Sequence, residues 1–322
     1  MNTTRKMMAT GLALAGLAVG PALATETIEA AGKIVSPVIQ GSARVMAMDA
    51  ASAGTADGAD ALQWNPAGLG SLAGPEAGLH HLTGIGGALG EAVIVGLPVG
   101  SLGGLAVSGE FTDAGELERR DEVGVETGRY GAGTTIGRLG WGKQMFGDVA
   151  VGAAFKASRQ TLDTFARSAF AVDLGSLWKV NSALSVGAAL TDLGMSSSAS
   201  SLPMALRAGA SYGLTLPAEN RLLASAAAEV QFAGIQTVTV GAEDTFMGLL
   251  AVRAGYRLAL SDQKLDGLTG LTAGLGLSYA GLALDYAWIP FGDLGNLQRV
   301  SLTYRRPPEA EHSSVKADGG VQ

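Results

Sequence analysis

Reactive side chains are few in this 322-residue chain, and they are poorly spaced for catalysis. The histidines are His80, His81 and His312. The first two are adjacent, so in an extended strand they face opposite sides and cannot jointly grip one metal ion without a bend. Ser-His-Asp chemistry needs a base positioned beside a nucleophile, and the G-x-S-x-G match at Gly209 to Gly213 lies inside a strand-like run instead of at a strand-to-helix turn. Gly84, Gly86 and Gly90, like Gly131, Gly133 and Gly137, imitate a phosphate-binding loop, but the spacing is wrong and no helical pattern follows. The chain has no cysteine, which excludes disulfides, thiolate metal sites and a lipid-modified N-terminal cysteine. The expectation is a protein that is not an enzyme and needs neither cofactor nor metal.

What the charged residues do instead is share faces. In the closing hairpin, 281–306, Leu282, Leu284, Tyr286 and Trp288 point one way while Ala283, Asp285 and Ala287 point the other. Its second arm sets Val300, Leu302 and Tyr304 against Arg299, Ser301, Thr303 and Arg305. The same parity puts Lys156, Asp173, Lys179, Arg207, Glu229, Glu243, Arg253 and Arg257 opposite the bulky apolar side chains of their own runs. A soluble sandwich alternates too, so composition must decide which face is wet. Only 16% of residues are charged, against roughly 25% in soluble domains. Mean hydropathy is +0.27. Apolar outside and polar inside is the pattern of a transmembrane β-barrel. Charges of both signs inside imply a paired network, because an unpaired charge in a narrow interior costs several kcal/mol. Glycine, 48 of 322 residues, recurs within the strand-like runs and lets something pack closely against the inner wall.

Residues 1–24 read as a signal peptide: Arg5 and Lys6, an apolar run interrupted by Gly11, Gly16, Gly20 and Pro21, then a small-x-small end at Ala22 to Ala24. No later segment is apolar for the ~20 residues that a spanning helix needs, so only strands are left to cross a bilayer. Residues 25–75 are irregular, with short helices expected around 42–53 and 56–62, and form a plug segment. From 76 to 306 about fourteen strand-like runs follow, an even number as bacterial barrels have. Tight links at Phe146–Gly147, Asn181–Ser182 and Ala280–Gly281 alternate with longer polar ones at 114–129, 196–202, 262–267 and 291–295, which places both termini on the periplasmic side. The charged run Asp113 to Glu122 is expected to be a solvated external loop. Trp141, Trp178 and Trp288 suit interfacial belts, whereas Trp64 belongs to the plug. Residues 307–322 read as a polar, disordered tail. The net charge of -7 and a pI near 5.0 argue against nucleic acid.

Two stretches carry a family resemblance. Residues 41–72, GSARVMAMDAASAGTADGADALQWNPAGLGSL, resemble the N-terminal signature of PorV/PorQ-family proteins and, more distantly, FadL-type transporters. Asn65, Pro66, Ala67, Gly68 and Leu69 match its NPAGL motif. Trp288 and Ile289 lead into Pro290, Phe291, Gly292, Asp293, Leu294 and Gly295, similar to the family's aromatic-x-PFGDLG turn. The resemblance implies an all-β fold: a transmembrane antiparallel FadL-like barrel of fourteen strands with an N-terminal hatch in the lumen, exported to the outer membrane of a diderm bacterium. It implies outer-membrane lipid as surroundings and two alternative roles. One is a passive conduit or binding barrel for small hydrophobic molecules; the other is an accessory barrel that docks secreted proteins in type IX secretion. The chain departs from the family in continuing past the final strand instead of stopping at an aromatic. For the NPAGL motif the residues themselves suggest a structural turn, with Asn capping and Pro setting the backbone direction.

Overall fold

The computed structural model describes residues 41–49, 53–197, 202–232, 234, 236–260 and 270–306. The expected signal peptide, residues 25–40, the 262–267 loop and the 307–322 tail lie outside them. The described residues contain fourteen strands. In chain order these are β1 (Glu76–Thr83), β2 (Leu89–Pro98), β3 (Gly104–Arg120), β4 (Glu126–Phe146), β5 (Val149–Leu162), β6 (Phe165–Lys179) and β7 (Leu184–Ser196). The second half comprises β8 (Ala205–Thr215), β9 (Arg221–Gln231), β10 (Gln236–Phe246), β11 (Leu250–Ala259), β12 (Leu271–Tyr279), β13 (Leu282–Pro290) and β14 (Asn296–Arg305). Each pairs antiparallel with its chain neighbours, and β1 pairs with β14 from Glu76↔Arg305 to Thr83↔Gln298, which closes the barrel. Closure satisfies every strand edge internally, the condition for a sheet to sit in hydrocarbon.

The faces follow the parity of the sequence. Leu284 is 51% exposed and looks outward, while its neighbour Asp285 is 5% exposed and looks into the lumen. Val300, Leu302 and Tyr304 are exposed outside, and Arg299 and Ser301 are buried inside. This outward apolar skin continues around the barrel through Val93, Leu139, Phe155, Leu174, Leu206, Val240 and Leu275. Links at one end are short, 99–103, 147–148, 180–183, 216–220, 247–249 and 280–281. The other end carries the longest, 197–204 and 260–270.

One expectation is overturned. The run Asp113 to Glu122 is not a loop: β3 and β4 pair as far as Arg120↔Glu126, and only 121–125 turns. The reason is pairing of opposite charges, with Arg129 bonded to Glu116 across the hairpin at 2.8 Å and Arg119 bonded to Asp163 of the neighbouring β5–β6 turn. Cross-strand pairs of this kind stabilise a hairpin that has no apolar face to bury. A bulge between Asp113 and Glu116 marks where the regular wall ends.

Inside lies the hatch. It comprises a single helical turn α1 (Ala43–Ala47) and two 3-10 turns at Ala59–Gln63 and Pro66–Ser71. The second 3-10 turn starts at NPAGL for a local reason: Asn65 takes an extended conformation, its side chain accepts the Ala67 N–H, and Pro66 occupies the first helical position, where no donor is missed. The wall has made room for it. A Cβ on Gly152 would overlap the Pro66–Ala67 backbone, and one on Gly175 would overlap the Asn65 side chain. The many inward glycines are therefore the seats of the hatch, which is why they interrupt strands.

Candidate functional site

The hatch meets the wall in two regions. Residues 53–72 sit on β2 to β8 largely through neutral contacts, with charged groups met at Asp57 (Arg44), Ala59 (Glu76), Asp60 (His80) and Trp64 (Arg207). Asn65, fully buried, donates from Nδ2 to the carbonyls of Ala53 (3.1 Å) and Ser176 (2.9 Å) and accepts from Ala67 N–H (3.2 Å). Ser211 Oγ donates to the Gly54 carbonyl at 2.9 Å. Leu62, Leu69 and Leu72 pack with Ile94, Ala106 and Ala154 of the wall, and Ala67 packs with Ala150 and Leu177. Of the motif residues, Asn65, Pro66, Ala67, Gly68 and Leu69 are thus all buried contacts between hatch and wall.

Residues 41–49 combine apolar packing of Ala43, Met46 and Ala47 against Leu82, Ala287, Ile289 and Leu297 with contacts through charge and hydroxyls. Arg44 donates to Glu243 (2.8 and 3.0 Å) and to Asp57 (2.9 Å). Glu243 is shared with Arg253 (2.6 Å), which also reaches Asp285 (2.6 Å). At the far end of α1, Arg257 donates to both oxygens of Asp49 (2.5 and 3.1 Å). Thr272 Oγ donates to the Ala47 carbonyl at 2.8 Å, and Ala43 N–H donates to Ser301 Oγ at 2.8 Å. Burial pushes the Asp49 carboxyl up to about 6 against the pull of Arg257. Burial also pushes Asp57 upward, but the charges of Arg44 and Arg305 and the hydrogen bond from Arg44 together outweigh it and hold that carboxyl below its ordinary range.

Ser301 leads to a constellation that the sequence did not reveal. Its Oγ lies 2.8 Å from His80 Nδ1, and His80 Nε2 lies 3.4 Å from Asp60 of the hatch. The residue types are those of a hydrolase triad, but Ser301 is wholly buried and its oxygen already accepts from Ala43, so no substrate carbonyl can reach it. The arrangement ties α1, the closing strands and the first 3-10 turn together. His81 points outward to Glu91 at 2.7 Å, so the two histidines do face opposite sides. No group of three or more metal-binding side chains occurs among the described residues.

The remaining inward charges form separate pairs. Arg207 bonds Glu229 at 2.5 Å, and its guanidinium lies 5.1 Å from the centre of the Trp64 ring. Lys156 reaches Asp192 (2.7 Å) and Asp173 (3.4 Å) beside a bulge in β7, where Asp192 takes a positive φ. Arg299 is buried near Glu110, Asp60 and Arg138. Glu110 and Arg138, which pair at 3.0 Å, were missed although period-two parity places them inward. Lys179 lies exposed at the short-turn end of β6, and Arg305, at the same rim, is 3.6 Å from Glu76. Asp49, Asp57 and Asp60 sit in the irregular segment, where no periodicity exists to find them.

Cavities lie on both sides of α1. On the long-loop side, a cleft of about 30 Å³ is lined by Met46, Trp64, Ile289, Phe291 and Leu297, with the Asp49–Arg257 pair at its margin. Pro290 ends β13, and Phe291, Gly292, Asp293, Leu294 and Gly295 make the turn that follows, so the second sequence motif contributes the cleft's aromatic rim. On the short-turn side lies a larger vestibule of about 290 Å³, lined by Arg44, Asp57, Glu219, Arg221, Arg253 and Arg305 among others. The cleft is lined mainly by apolar side chains with one ion pair, and the vestibule mainly by charged and polar ones.

No family model and no curated protein matches the sequence. Solved structures do match the fold. The toluene transporter TbuX of Ralstonia pickettii is similar at a TM-score of 0.58 and 15% identity, over 84% of this chain and 100% of that one. A FadL homologue from Pseudomonas aeruginosa is similar at 0.55 and 11%, over 85% of this chain and all of the other. The toluene transporter TodX of Pseudomonas putida gives 0.52 and 13%, over 82% and 96%. The chain has the closed fourteen-strand fold of the FadL-like outer-membrane barrels.

Proposed function

We propose that this protein is a passive outer-membrane conduit for small hydrophobic molecules, exported by way of its N-terminal signal peptide. The observation that carries the reading is the apolar cleft of Met46, Trp64, Ile289, Phe291 and Leu297 above a sealed hatch. Short turns face the periplasm in such barrels, so the cleft opens toward the outside. Its lining of apolar side chains with one ion pair suits a small apolar ligand, and since about 30 Å³ holds only about two waters, such a ligand enters by widening the cleft. The structural neighbours named as toluene transporters share the fold and make hydrocarbons the first ligands to test. Motion down a gradient suffices, since no energy-coupling motif is present. In this reading residues 25–75 form the hatch, 76–306 the spanning barrel and 307–322 a periplasmic tail. The test is toluene uptake by intact cells lacking their own hydrocarbon channels, with and without this protein. Uptake equal to the empty-vector background would refute the conduit.

A second reading is favoured by the NPAGL and PFGDLG motifs: membership of the PorV/PorQ family and a docking role for exported proteins. A genome without type IX secretion genes and their cargo would sink it.

A further inference from the structure

We infer that Trp64 is the water barrier of the hatch: its indole ring divides a hydrated chamber from the apolar cleft, and so makes the closed barrel refuse ions and polar solutes. The inference deepens the conduit reading and rests on it for its purpose, while its geometry stands on the cavities. Three voids lie in series. Arg44, Asp57 and Asp60 line both the inner vestibule and a second void of about 20 Å³. That void has room for a water, since about 10–15 Å³ suffices, and Thr55 adds a hydroxyl to its three charged groups. Water from the vestibule can therefore fill it. Trp64 lines its other side, and among the described residues it is the one side chain that this void shares with the outer cleft.

The perimeter of the hatch is closed by a different device. A Cβ on Gly152 would overlap the Pro66 backbone, one on Gly187 the Ala53 carbonyl, one on Gly241 the Met48 backbone and one on Gly274 the Ala47 side chain. At these points hatch backbone lies directly on bare wall, without room for water between them. The helix α1 is a fixed side of the passage, since Ala43, Met46 and Ala47 pack against Leu82, Ala287, Ile289 and Leu297. The ring is held as well. The Arg207 guanidinium lies 5.1 Å from its centre, a cation–π contact. Gly41, at φ +93°, brings its backbone so close that a Cβ there would overlap the indole Nε1. What remains between void and cleft is an apolar constriction, which stops ions because it offers them no hydration.

The test is ionic current through planar lipid bilayers that hold the purified protein in potassium chloride solution. The wild type should carry no current above that of the bare membrane. Trp64→Ala, which joins void and cleft, should raise the current at least about tenfold over the wild type, and Trp64→Phe, which keeps a ring, should stay silent. Leu69→Ala is the control. Leu69 is also buried in the hatch but lines none of the three cavities, so its loss should leave the membrane silent. Silence of Trp64→Ala despite normal insertion, an equal current through Leu69→Ala, or conduction by the wild type would each overturn the inference. If Trp64→Ala does not insert, Trp64→Val is judged by the same comparisons. Absence of toluene uptake by the wild type would sink the conduit reading while the currents still judge Trp64.

Discussion

Asn65→Ala tests how the hatch is held. Asn65 is fully buried and makes three hydrogen bonds, to Ala53 O, Ser176 O and Ala67 N–H. Each is worth roughly 0.5–1.5 kcal/mol net, and alanine leaves all three partners without a replacement, so the loss should be about 3 kcal/mol. The penalty falls on hatch docking, because β6 keeps its ladder to β5 and β7. Every 1.4 kcal/mol is a factor of ten, so hydrogen exchange of the amides in 66–72 should accelerate about a hundredfold. Amides of β9 and β10, remote from Asn65, should be unchanged. Asn65→Asp should be no better, since it keeps the acceptor for Ala67 but loses both donors and buries a charge. Acceleration below about threefold, or equal acceleration across the barrel, would refute the claim that NPAGL is a docking turn.

Depth on the lipid face should grade the cost of charge. Val300→Arg, midway along β14, should lower folding stability by about 2–4 kcal/mol in a detergent or bilayer unfolding titration, whereas Leu284→Arg near the short-turn rim should cost about 0–1 kcal/mol; equal costs would place the belt wrongly. Hatch stability should depend on pH through Asp49. Its carboxyl rises from an ordinary 3.8 to about 6 on burial, so the folded state favours the protonated form. That contribution is complete only well below pH 3.8 and is lost as pH climbs through 6, weakening hatch docking by about 2 kcal/mol between pH 4 and pH 7. Exchange of α1 amides, corrected for intrinsic rates, should therefore accelerate with rising pH in the wild type and stay flat in Asp49→Asn. A slope of opposite sign would refute the assignment.

Much of the wall was legible because one rule, alternation of faces, acts on every strand. Leu284, Asp285 and Ser301 needed no more than parity and a low charge content to be placed outside or inside. The hairpin at 113–126 was misread because its stabilisation is ionic, and a run of charges looks like a loop when the partners that pair across it are not known. In the hatch, α1 and the first 3-10 turn fall where short helices were expected, around 42–53 and 56–62, and NPAGL was legible because Asn and Pro have local meanings. Asp49 and Asp60 gain their roles from Arg257 and His80, wall residues brought near by the folded barrel, and Asp57 gains its role from Arg44 within the hatch itself. Ser301 and His80 were invisible as a pair for the same reason: they meet only where the last strand closes on the first.

The most direct measurement of the central claim is the initial rate of labelled toluene uptake by intact cells whose own hydrocarbon channels are deleted. Cells producing this protein should take it up several-fold faster than the background. Phe291→Asp, which puts a charge on the cleft's rim, should return the rate to background while leaving the amount of barrel in the membrane unchanged. Uptake that never exceeds background, or that is indifferent to Phe291→Asp, would contradict a conduit that works through this cleft.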